Sequence, residues 1–165
     1  MEKNEVETEV LGVEEARQKG FTLIEVLVVM GIIAVLSTVV LVAINPSRQF
    51  AQSRDTQRTS NVTALLNAIG QRAVDNRGIF EIDCAAGLIP ATSTAIKSGT
   101  GGFDLYPCIV PVYMALLPVD PKAGNFTSAA DYDSGYTIAR DEATGRITIA
   151  APNTEIAVPA ISISR

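Results

Sequence analysis

Apolar positions fall into three regimes along the chain. From Phe21 to Ile44 they are almost continuous: "FTLIEVLVVMGIIAVLSTVVLVAI" carries a single charge, Glu25. A helix over that run rises ~1.5 Å per residue and reaches about 36 Å, enough to cross a bilayer core of about 30 Å. Pro46 then interrupts the run, with Asn45 or Ser47 available to cap a second helix. From Arg48 to Arg77 the pattern becomes amphipathic. Val62, Leu65, Leu66, Ile69 and Ala73 recur at spacings of three and four and make one apolar stripe, and Gly78 is a natural stop. In the last third the period drops to two. "SGYTIAR" and "RITIAAP" flank the Gly-bearing "DEATG" and predict a β-hairpin, with Tyr136, Ile138, Ile147 and Ile149 alternating. "EIAVPAISIS" offers a further strand, limited by Pro159.

Between the stripe and the hairpin the pattern is weaker. Residues 78–102 are rich in Gly, Ser and Thr and read as loop. "CIVPVYMALLPVDP" mixes apolar residues with prolines, which suits an extended edge or a buried loop. The expected fold is therefore α+β: a long N-terminal helical spine, kinked near Pro46, against a small antiparallel sheet. The expected organisation is a leader at 1–20, a membrane-length helix at 21–44, the amphipathic half of the spine at 45–78, and a head at 79–165.

Composition narrows the chemistry. The sequence has no His, which removes His-based catalysis and His metal sites together. A net charge of −5 argues against a dedicated nucleic-acid surface. The arginines of "RQFAQSRDTQRTS" offer a phosphate patch, but Phe50 is the only aromatic among them. A solvated or intersubunit helix face is the competing reading. Cys84 and Cys108 lie beyond the apolar run; in an exported domain they are expected to pair, the alternative being two buried thiols. Asp120, Asp131 and Asp133 form the one oxygen-rich cluster, a weak Ca²⁺ candidate set against turn-capping aspartates. No catalytic dyad, phosphate loop or CxxC motif is present.

Glu25 decides among three readings of the apolar run. A cleaved signal peptide would need a shorter core and a small-x-small site; "LVAINP" has Leu41 where a small residue belongs. A plain signal anchor fits the length but leaves Glu25 with no partner, since no Lys or Arg occurs between Phe21 and Ile44. A cut between Gly20 and Phe21 supplies one. It creates an α-amino group that can meet Glu25 of a neighbouring copy inside a low-dielectric bundle.

The string "KGFTLIEVLVVMGIIAVL" resembles the N-terminal signature of type IV prepilins and the related pseudopilins. Gly20, Phe21, Thr22, Leu23, Ile24 and Glu25 match the pattern in place, while Gly20 as an ordinary linker glycine is the bland alternative. The resemblance implies a pilin-like fold and a prepilin peptidase that cuts after Gly20 and N-methylates Phe21, with Glu25 serving methylation and assembly. It further implies a helical homopolymer built on an assembly platform, a single-pass precursor in the cytoplasmic membrane with its head outside, and no enzymatic activity. "LPVDP" with "SAADYDSGY" faintly resembles the calcium loop of major secretion pseudopilins. Two features depart from the pattern or stay silent. The leader is acidic apart from Arg17 and Lys19, and arginines on both sides of the helix leave orientation undetermined by charge. Beside the pilus subunit stand two alternatives: a pseudopilin of a type II secretion or DNA-uptake machine, and a monomeric, signal-anchored exported binding protein.

Overall fold

A computed structural model describes residues 20–165, so the expected leader, Gly20 apart, lies outside the described residues. The chain divides into two units, the first ending at Ile44 and the second running from Asn45 to Arg165.

Among the described residues the first unit carries one helix, α1 (Leu23–Ala43). Its 21 residues match a bilayer core in length, and no residue of it is buried. Apolar side chains surround it on every side, so no face of α1 is set apart for a core of its own.

The second unit opens with α2 (Pro46–Asp75). Ile44 and Asn45 leave helical geometry, and Asn45 Oδ1 accepts from the N–H of Arg48 at 3.3 Å as the N-cap. Pro46 occupies the first turn, where its missing N–H has no helical partner to lose. At the other end Gly78, at φ +88°, donates its N–H to the Ala73 carbonyl and closes the helix. The apolar stripe is buried from Val62 through Ile69, with Ala73 half-buried. Each of Leu65 and Ile69, removed from water here, contributes about 1.5–3 kcal/mol.

Against this stripe lies a five-stranded antiparallel sheet centred on β3 (Asp131–Arg140). Its partners are β1 (Thr94–Lys97), β2 (Asn125–Ser128) and β4 (Ile147–Ala150), and β5 (Ser162–Ser164) extends the sheet from β4. Asp133 faces Lys97 on one edge and Asn125 on the other, while Ile138 faces Thr94 and Ile149. β1 therefore holds one edge of β3, and β2 and β4 share the opposite edge. Alternation along β3 buries Tyr132, Ser134, Tyr136 and Ile138 and leaves Asp131 and Asp133 in solvent. The expected hairpin is thus present, as β3–β4.

One expectation needs correction, and one open choice falls to the packed loop. Residues 78–102 are not all loop, because β1 forms within them. The buried Ile96 sits at a register shift between the paired Ala95 and Lys97, and the open edge of β3 supplies the hydrogen bonds that local propensity does not. "CIVPVYMALLPVDP" forms no edge strand; it begins in the short helix α3 (Tyr106–Ile109) and continues through turns to the buried Leu117 and Asp120.

Candidate processing and assembly site

The start of α1 is built by three residue types. Gly20 is exposed and lies outside the helix, and a Cβ placed on it would meet nothing within 4 Å. Phe21 follows with 83% of its surface exposed. Thr22, at φ −79° and ψ 149°, turns the extended chain into helix; its Oγ1 accepts from the N–H of Glu25 at 3.3 Å. Thr22-x-x-Glu25 has the spacing of a capping box, in which a hydroxyl and a carboxylate three residues apart serve the unpaired donors of the first turn. A carboxylate there also meets the positive end of the helix dipole, worth about 0.3–1 kcal/mol. The charge that looked unsupported in the sequence has a local rationale at the helix start, and its carboxylate remains exposed. The cap itself was legible as Thr followed three residues later by Glu at the head of an apolar run.

The head carries a different kind of site. Arg58 is fully buried on α2. Its Nε donates to Asp120 Oδ2 at 2.7 Å and its Nη2 to Asp120 Oδ1 at 3.2 Å. Its Nη1 reaches Asp55 Oδ1 at 2.8 Å and Glu155 Oε1 at 3.0 Å. Arg54 grips Glu155 with two parallel bonds of 2.6 and 2.7 Å. Asp55 in turn accepts from the backbone N–H groups of Glu155, Ile156 and Ala157. Asp120 also accepts from the N–H groups of Lys122 and Ala123. One guanidinium thus joins α2, the 120–123 turn and the 155–157 loop. The turn comes this close because Gly135 and Gly124 carry no Cβ. One at Gly135, already at φ +73°, would lie 2.7 Å from Asp120 Cβ, and one at Gly124 would lie 2.5 Å from Asp120 N.

The electrostatics follow from the contacts. Burial opposes ionisation of Asp55, but the three backbone donors and Arg58 outweigh it and hold the carboxyl at about 2. Asp120 is lowered in the same way, its burial overcome by Arg58 and the N–H groups of Lys122 and Ala123. Glu155 is lowered chiefly by Arg54 and then by Arg58, and Arg58 is raised chiefly by Asp120. All these groups are charged and paired at neutral pH.

These contacts correct the reading of the Arg48–Ser60 face. Arg48 is exposed, whereas Arg54 is ion-paired and Arg58 is buried, so neither forms part of a phosphate patch or a solvated face. The signal was present in the spacing. Arg58 lies four residues before Val62 and seven before Leu65, on the N-terminal extension of the apolar stripe. A charge on a buried stripe implies buried partners.

The remaining candidates are separated. Asp131 and Asp133 are exposed on β3, while Asp120 is occupied by Arg58 and its own turn. Asp133 accepts from the N–H of Gly135, a turn-type bond like those of Asp120. Among the described residues no group of three or more His, Cys, Asp or Glu side chains is placed to hold a metal ion. Cys84 and Cys108 are joined in a disulfide, with Cα atoms 5.0 Å apart.

A family model for the prokaryotic N-terminal methylation motif matches residues 16–41, which takes in Gly20 to Glu25 and nearly all of α1 but none of the head. No curated protein and no solved structure matches the chain. The chain carries the type IV prepilin signature over the start and body of a membrane-length apolar helix, followed by an α+β head, a combination that supports a pilin-like or pseudopilin-like precursor. That signature points to a structural subunit rather than an enzyme.

Proposed function

We propose that this chain is a structural subunit of a type IV pilus-like filament. It is held in the membrane by α1, cut after Gly20 by a prepilin peptidase that also methylates Phe21, and polymerised through α1. The observation that carries this reading is the methylation motif at residues 16–41, with Gly20 exposed and uncrowded just ahead of a helix that begins at Leu23. Cleavage frees an amine at Phe21, and Glu25 of an adjoining copy is its partner. A pairing of that kind favours one axial register of neighbouring helices over others, because a shifted register leaves both charges unpaired in an apolar bundle. The remaining apolar surface of α1 then passes from lipid to neighbouring helices with little change of medium. The head faces outward, first across the membrane and then along the filament.

N-terminal mass analysis of the chain isolated from its cells tests the processing step. The expected result is a mature chain beginning at Phe21 with one added methyl group. A chain that keeps residues 1–20 contradicts the proposal and favours a signal-anchored monomer. A short periplasmic assembly in place of a surface fibre would move the same processed subunit to a secretion or DNA-uptake machine.

A further inference from the structure

Cys84 and Cys108 sit on segments that share no backbone ladder. Residues 79–87 are a series of turns whose backbone hydrogen bonds are short-range, such as Ile79 N–H to Asn76, Cys84 N–H to Glu81 and Gly87 N–H to Cys84. Cys108 belongs to α3, whose bonds are likewise local, such as Cys108 N–H to Leu105 and Val110 N–H to Tyr106. One side chain bonds to both segments. Arg72, only 8% exposed on α2, donates from Nε to the Phe80 carbonyl at 3.0 Å, from Nη2 to the Ile82 carbonyl, and from Nη1 to the Cys108 carbonyl at 2.8 Å. Its guanidinium also lies over the Phe80 ring, 5.6 Å from the centroid. Arg140 grips Glu81 from the sheet but does not reach the Cys108 side.

The geometry points to Arg72 as the positioning residue for the disulfide: its fork gathers the Phe80–Ile82 carbonyls and the Cys108 carbonyl, and so brings the two thiols into bonding range before oxidation. A planar guanidinium suits this role because its several N–H donors point in fixed, divergent directions, so one group serves three carbonyls at once. The chemical step is ordinary thiol–disulfide exchange. One cysteine thiolate attacks oxidised glutathione and releases one reduced glutathione; the other cysteine displaces the second, forming the Cys84–Cys108 bond. Two thiols are oxidised and one glutathione disulfide is reduced. Arg72 takes no part in electron transfer; it raises the effective concentration of one thiol at the other.

The test uses the full chain in detergent micelles, equilibrated in glutathione redox buffers, with the disulfide fraction read by thiol labelling and mass analysis. Arg72→Met is expected to lower the effective concentration of the cysteine pair by about tenfold or more, the scale of losing a charged hydrogen bond. Arg72→Lys, which keeps the charge without the fork, is expected to recover only part of this. Ile138→Val, a core change on β3 at a residue that hydrogen-bonds to neither segment, is expected to leave the native-state equilibrium unchanged. A wild-type equilibrium in Arg72→Met overturns the proposal, and so does an equal loss in Ile138→Val. Should Arg72→Met fail to fold, the Cys84→Ser/Cys108→Ser chain, which keeps Arg72, decides by hydrogen exchange. Retained protection at residues 79–87 supports the positioning role; exchange there at open-loop rates overturns it.

Discussion

The two long helices of this chain solve opposite problems. α1 has apolar residues on every side, buries none of them and holds its single charge at its first turn. α2 buries one stripe and, along the same stripe, two arginines whose donors are all directed at groups of its own unit. The stability of α2 is therefore supplied from within the chain, and that of α1 by whatever surrounds it, lipid or neighbouring helices. The difference also separates the two charged sites. Arg58 is paired within one molecule and specifies the fold, whereas Glu25 has no cationic partner in its own helix and is free to specify an assembly.

Breaking the internal site is expected to have the largest effect. Arg58→Ala leaves Asp55 and Asp120 buried without their cation and is expected to lower head stability by about 3–5 kcal/mol, measured by denaturant unfolding of the full chain in micelles. Arg54→Ala, whose side chain is 32% exposed, is expected to cost about 1 kcal/mol or less in the same assay. Equal losses at the two positions would show that burial does not set the hierarchy.

Acid sharpens the same contrast. Asp55 and Asp120 have folded-state values below their unfolded ones, so the folded state binds fewer protons in that range. Their contribution is present above pH ~4 and is lost as the pH falls through the folded value of Asp55, about 2. Unfolding midpoints of the head are expected to fall across this window in the wild type and to fall less in Asp55→Asn, whose starting stability is lower. An identical pH slope in the two chains would contradict the assignment.

The smallest effects on head unfolding belong to α1. Thr22→Ala removes the cap and is expected to fray the first turn, at about 1 kcal/mol, read by amide exchange at Glu25 and Val26. Leu36→Ala, on a fully exposed helix, is expected to shift head unfolding by no more than about 0.5 kcal/mol. A larger shift would mean that the head depends on α1 for its stability.

What was legible in the sequence follows the same division. α1 and its motif are carried by local pattern alone: an apolar run, a Gly-Phe junction, and Thr with Glu three residues on. The stripe of α2 and the β3–β4 hairpin were also readable, since periods of 3.6 and 2 persist over several residues. β1 and β2 were not, because "TAIK" and "NFTS" are too short to show a period and take their strand geometry from β3. α3 was hidden in a proline-rich stretch, where Pro107 marks a first helical turn rather than a break. Arg58 reads in the sequence as part of a phosphate patch or a solvated or intersubunit helix face, and Arg72 carries no signal of its own, because their side chains are polar, although both occupy positions of the buried stripe. Their partners at 80–82, 108, 120 and 155 are too far along the chain for any local pattern to reveal.

On the proposed filament reading the charge of α1 acts between copies, whereas that of α2 is paired within one. Filament yield of Glu25→Gln, measured by sedimentation and electron microscopy beside membrane insertion and head unfolding, tests it most directly. Normal insertion, an unchanged head transition and a filament yield at least tenfold below wild type are expected, on the scale of removing one partner of a desolvated charge pair. Filaments at wild-type yield from the glutamine variant would contradict it.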